Sequence, residues 1–162
     1  MEPLLVTIML WLSANFGLPA NFDPPNLAFT SPSELTSRRY GPFLAAQITK
    51  PETEQRKATP PASEPPQVVA LYSDIERTIY LPKGWRGRTP AELSVLVHEM
   101  VHHLQSTGGL KYPCPQEREK LAYAAQDKWL HLFGASLESE FQIDKMTVLV
   151  TTSCAFAEPE GH

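Results

Sequence analysis

The stretch Thr89–Gly109, TPAELSVLVHEMVHHLQSTGG, decides how the rest of the chain is read. Thr89 suits an N-cap, Pro90 the first helical position, and Glu92 stands three residues after the cap, where it closes a capping box. The spacing predicts a helix from Pro90 to about Gln105. Leu93, Leu96, Val97, Met100, Val101 and Leu104 supply its apolar face, and Ser106-Thr107-Gly108-Gly109 stops it. Inside the helix sits His98-Glu99-Met100-Val101-His102, the pattern H-E-x-x-H.

Residues i and i+4 of a helix lie one turn apart on one face, so both imidazoles can reach a single metal ion. Glu99, about 100° round the helix from His98, is on the metal side without being forced into coordination, where it can take a proton from an activated water. The bare pattern recurs by chance, and the competing reading is two histidines at the edge of a core. Context strengthens the metal reading: the match lies mid-helix with apolar flanks, and a carboxylate-bearing helix follows. His103 points elsewhere from His102 and is expected beside the ligands or at the surface, not among them.

A catalytic zinc usually takes three protein ligands and keeps one position open. Pro113-Cys114-Pro115 is expected to open a second helix running to about Phe133, with Gly134 at its stop. Glu119 shares a stripe with Ala122, Tyr123, Gln126, Leu130 and Phe133, which reads as buried. Glu117 shares one with Lys120, Leu121, Ala124, Lys128 and His131, which reads as solvated. A ligand must face inward, so Glu119 is the choice for third ligand and Glu117 the reserve.

Upstream, Val68–Tyr72 and Thr78–Leu81 are β-branched and aromatic, and residues 73–77 between them make a turn of hairpin length, so a two-stranded ribbon is expected. From Pro19 to Pro66 proline pairs punctuate the text, which predicts no long helix there; Leu27–Thr30 reads as a short strand and Ser33–Tyr40 as a short helix. Residues 50–66, KPETEQRKATPPASEPP, contain no large apolar residue and read as a flexible, solvated loop. At the amino terminus, LLVTIMLWL (residues 4–12) has the length of a signal-peptide core and is too short for a membrane span. The first basic residue is Arg38, however, and Leu4, Ile8, Leu12 and Phe16, with Leu5 and Met9, repeat at helical spacing up to Gly17, which favours a core helix. Downstream, Lys145–Ser153 reads as either a strand or a short buried helix begun by Asp144, and the tail from about Ala155 as frayed.

The 162 residues fit one domain, mostly helical α+β, with a small ribbon or sheet before the H-E-x-x-H helix. Fourteen Lys and Arg against eighteen Asp and Glu, with no basic run longer than Arg38-Arg39, argue against a nucleic-acid partner. Of sixteen prolines, about twice the average share, eleven precede Val68. Cys114 and Cys154 form no C-x-x-C pair. They can form one disulfide, which implies a periplasmic or secreted protein, or stay as two buried thiols, which fits a cytoplasmic one.

These features resemble a zincin metallopeptidase of the gluzincin type, in which a glutamate on a following helix, often within E-x-x-A, completes H-E-x-x-H; here that reads Glu119-Lys120-Leu121-Ala122. LSVLVHEMVHHLQ (93–105), GLKYPCPQEREKLAYAAQDKWL (109–130) and SLESEF (136–141) also resemble a small family of functionally uncharacterised bacterial proteins, with similarity running from WLSANFGLPA (11–20) to Cys154. The resemblance implies zinc held by His98, His102 and Glu119 and Glu99 as general base, but supplies no particular substrate; the expected partner of such a hydrolase is a peptide or protein. The chain is too short for the extra domains of large gluzincins. Tyr112, Tyr123 and His103 are the candidate oxyanion donors, each with packing as its alternative, and Gln126 a candidate to orient a ligand. The ribbon offers an edge to an extended peptide. The alternative function is a non-catalytic, zinc-stabilised binding or structural domain of the same shape.

Overall fold

A computed structural model describes residues 1–48 and 69–156. The elements are α1 (Glu2–Phe16), β1 (Asn26–Thr30), α2 (Pro32–Ile48), β2 (Leu71–Ser73), β3 (Thr78–Pro82), α3 (Pro90–Thr107), α4 (Glu117–His131), α5 (Leu137–Phe141) and α6 (Lys145–Thr151), followed by a 3₁₀ turn at Cys154–Phe156. This is the mostly helical α+β fold expected from the sequence. Among the described residues no helix is long and apolar enough to cross a membrane. The loop expected at residues 50–66 and the tail beyond Phe156 lie outside the described residues.

The capping box of α3 forms as the residue types require: Thr89 Oγ1 accepts from the Glu92 amide at 3.1 Å, and Glu92 Oε2 accepts from the Thr89 amide at 3.4 Å. Apolar residues lie on enough of its circumference that α3 is buried along most of its length. Leu96, Met100 and Leu104 share one buried cluster with Ile8 and Leu12 of α1, Ile79 and Leu81 of β3, and Ala122 and Ala125 of α4. Two alanines on the contact face of α4 let the helix backbones approach closely, which matters for the site below. Helix α1 buries Leu5, Ile8, Met9 and Leu12 and ends at Gly17, whose φ of 67° is the left-handed cap that glycine adopts without strain.

The predicted hairpin forms, β2 pairing antiparallel with β3 through Tyr72 and Ile79. It is not alone. β1 adds to the other side of β3 in parallel, Leu27 opposite Ile79, giving the order β1-β3-β2. A parallel partner far away in sequence leaves no turn signal, so a two-stranded ribbon was the most that local reading could assemble.

Four further expectations are corrected. Helix α2 continues through Gly41-Pro42 to Ile48, where only a short helix was expected. Pro42 removes one donor, the one that would reach the Arg38 carbonyl, and glycine before proline relieves much of the steric conflict that normally ends a helix there. Helix α4 begins at Glu117 rather than Pro115, because Cys114, Pro115 and Gln116 are spent in tight turns whose carbonyls accept from the amides three residues on. It ends at His131, so Phe133 leaves the buried stripe and is more than half exposed. Finally, Lys145–Thr151 is helical, decided by Asp144 Oδ1 accepting from the Thr147 amide at 2.7 Å, yet it buries no side chain.

Cys114 and Cys154 are disulfide-bonded, tying the carboxyl-terminal segment to the turn that leads into α4. Replacing both by serine is expected to lower the unfolding free energy by about 4 kcal/mol, the chain-entropy value for a closed loop of this length. Urea denaturation of the variant against the oxidised parent measures it, and an unchanged midpoint would contradict the assignment.

Candidate metal centre

Helix periodicity puts His98 and His102 one turn apart, ring centroids 5.0 Å from each other, both nearly buried. Glu119, in the first turn of α4, projects into the gap. Its Oε2 lies 3.0 Å from His98 Nε2 and 3.3 Å from His102 Nε2. The ligand atoms of the three residues all lie within 4.8 Å of one another, and the group can bind a metal ion. Of the two glutamates the sequence offered, the structure brings Glu119 to the histidines. Glu117 turns to the disulfide, its Oε2 3.8 Å from Cys154 Sγ.

The rings are fixed from behind. His98 Nδ1 meets Gln126 Oε1 at 2.9 Å, and His102 Nδ1 meets Gln105 Oε1 at 3.0 Å. The amides are themselves oriented: Gln126 Nε2 donates to Ser94 Oγ, whose hydroxyl donates to the Ala91 carbonyl, and Gln105 Nε2 donates to the Arg118 carbonyl. An amide oxygen facing each Nδ1 requires that nitrogen to carry the proton, which leaves the lone pair of each neutral ring on Nε2, aimed at a carboxylate. Two lone pairs and a carboxylate facing one another need a positive charge between them, from added protons or from a cation.

The titration preferences express the same demand. Burial pushes the Glu119 carboxyl up, but hydrogen bonds from His102 and His98 outweigh it and hold the group well below the usual carboxylate range. Burial likewise pushes His102 down, while Glu119 and then Glu99 raise it above the ordinary histidine value. Neutral imidazole nitrogens and a carboxylate oxygen are the donor types that zinc takes.

Glu99 lines the same cleft, a cavity of about 200 Å³ bounded also by Ala70, Val95, Tyr123, Phe141 and Ile143. Its Oε2 accepts from the backbone amide of Tyr72 at 2.8 Å, fastening the glutamate to the edge strand β2. Tyr123 is at the site, its ring edge-on to His98 at 4.9 Å. His103 is not in the cleft. It is buried on the other side of α3, with Nε2 donating to the Asp23 carbonyl at 2.9 Å and Nδ1 accepting from the Tyr72 hydroxyl at 3.2 Å. Tyr112 lines a separate depression with Pro113, Glu117 and Leu121. Gln126, the candidate to orient a ligand, meets the Nδ1 of the prospective ligand His98. Gln105 does the same for His102 and was missed, although its i+3 spacing from that histidine carried the signal.

Residues 41–159 match the model of a family described as Domain of unknown function (DUF6647). The chain belongs to this family. No curated protein and no solved structure matches the chain. The matched region of this DUF6647 member contains all three prospective ligands, Glu99 and both orienting glutamines, whereas α1 and β1 precede it.

Replacing either Gln105 or Gln126 by methionine, which keeps the chain length but removes the acceptor, is expected to weaken metal affinity by about 10–100-fold, the usual cost of losing a group that orients a ligand. Zinc titration against a chromophoric chelator measures the change, with circular dichroism to verify that the helices persist.

Proposed function

We propose that this chain is a zinc-dependent metallopeptidase in which His98, His102 and Glu119 hold the metal and Glu99 acts as general base. The observation that carries this reading is the convergence of the three donors, with the Nδ1 atoms of the two histidines tied back, in a cleft that also contains a carboxylate oxygen of Glu99. Glu99 Oε2 is engaged by the Tyr72 amide, and among the described residues Oε1 has no hydrogen-bond partner. The amide fixes one oxygen and leaves the other to carry a proton.

Zinc bound by these residues would polarise the scissile carbonyl and make water a stronger acid. The protein's own part is positional. Glu99 accepts the proton that water loses as its oxygen bonds to the carbonyl carbon, then delivers it to the amide nitrogen as the carbon–nitrogen bond breaks. Of the three candidate oxyanion donors only Tyr123, its ring edge-on to His98, lines the cleft; Tyr112 lines a separate depression and His103 is bonded to Asp23 and Tyr72, which supports Tyr123 for that role. The Tyr72 amide on the outer edge of β2 is taken by Glu99, but Val69 and Ala70 just before the strand line the cleft, so an extended peptide could lie along that margin. The disulfide favours an oxidising compartment, periplasmic or extracellular.

One observation favours a second reading, a zinc-stabilised domain without catalysis: the Glu99 to Tyr72 hydrogen bond also ties α3 to the sheet, a purely structural duty. The two readings diverge for Glu99→Gln, which can still accept from the amide but cannot carry the proton. Under the peptidase reading the variant retains about one zinc per chain and loses at least about 100-fold in kcat on any peptide the parent cleaves. Hydrolysis undiminished in Glu99→Gln, or a zinc-loaded parent that cleaves nothing in a diverse peptide library, would favour the structural reading.

A further inference from the structure

The next step rests on the peptidase reading and concerns what the same cleft selects. Helix α2 carries two consecutive arginines with different engagements. Arg38 is engaged by carboxylates: Nε donates to Glu34 Oε1 at 3.0 Å, Nη1 to Glu76 Oε2 at 3.3 Å, and the guanidinium lies 4.1 Å over the Tyr80 ring. Arg39, one position further round the helix, instead lines the metal cleft and is exposed. Among the described residues no carboxylate forms a salt bridge with it. The two carboxylates of the cleft have other partners, Glu119 the histidine pair and Glu99 the Tyr72 amide.

A guanidinium presents donors in a planar fork whose geometry matches a carboxylate. The cleft is also small. At about 200 Å³ it falls below the roughly 300–1,000 Å³ of ordinary ligand pockets, so a short piece of substrate must be held by few contacts, and an ion pair is the strongest on offer. Val69, Phe141 and Ile143 give the remaining wall an apolar character.

We propose that Arg39 anchors a substrate carboxylate, making this a cleft for peptides with a negative group close to the scissile bond and an apolar residue beside it. The carboxylate can be a free carboxyl terminus or an Asp or Glu side chain. The chemistry is shared, and the source is separable by experiment.

The test compares three probes, N-acetyl-Phe-Leu, its carboxyl-terminal amide, and N-acetyl-Phe-Glu amide, titrated calorimetrically into zinc-loaded Glu99→Gln protein, where binding is read without turnover. At least one carboxylate-bearing probe is expected to bind about tenfold or more tightly than the uncharged amide, in line with a charge-assisted hydrogen bond. Which of the two does so identifies the source. Adding Arg39→Gln should bring the ratio close to one, and Arg39→Lys, which keeps the charge but loses the fork, should retain part of it. Equal binding of all three probes, or a preference that survives Arg39→Gln, overturns the assignment of Arg39. The peptidase reading fails differently, by an intact binding preference without hydrolysis in the wild-type protein.

Discussion

Everything in this fold answers to one constraint: two imidazoles and a carboxylate are brought together at the buried contact between α3 and α4, with their electron pairs facing inward. Such an arrangement is unfavourable unless a positive charge occupies its centre. The surrounding structure keeps it from relaxing. Gln105 and Gln126 hold the rings, and the Arg118 carbonyl and Ser94 hold the glutamines. Ala122 and Ala125 let α4 lie close enough for Glu119 to reach across. The polar network runs back to the Ala91 and Arg118 carbonyls, so the positions of the three prospective ligands are tied to the packing of both helices.

The small sheet matters to the same centre through one contact. The Tyr72 amide lies on the edge of β2 that β3 does not use, and it donates to Glu99. That bond sets the glutamate's position from the sheet while α3 sets it from the helix. It also occupies a donor that an edge strand would otherwise leave open to solvent or another chain. β3, paired on both sides and carrying the fully buried Ile79 and Leu81, supplies the rigidity behind this edge. β1 contributes by pairing with β3.

The elements that could be read from the sequence are those whose cause is local. The α3 start was legible because Thr89, Pro90 and Glu92 each act within one turn, and the histidine pair because helical spacing alone brings i and i+4 together. Glu119 could be preferred to Glu117 because the two fall on stripes of different polarity. The parallel pairing of β1 depends on a strand some fifty residues away, and the passage of α2 through Gly41-Pro42 on a context that outweighs one missing donor. Proline counting overstates helix breaking where glycine precedes the proline. Asp144 was legible as a helix start, whereas the exposure of α6 depends on how the disulfide-tied segment lies on the rest of the molecule.

His102 and His103 illustrate why composition and adjacency are poor guides to role. One residue apart on a helix, they face directions about 100° apart, and α3 is covered on both sides. His102 meets carboxylates, which favour its charged form. His103 meets a carbonyl, a phenol hydroxyl and burial, and burial pushes its titration below the ordinary value. In the neutral form it donates at one nitrogen and accepts at the other, satisfying Asp23 and Tyr72 together. The Tyr72 residue is thereby held twice from α3, by its hydroxyl through His103 and by its amide through Glu99. A histidine that binds no ligand thus helps to fix the strand against which the prospective catalytic base is placed.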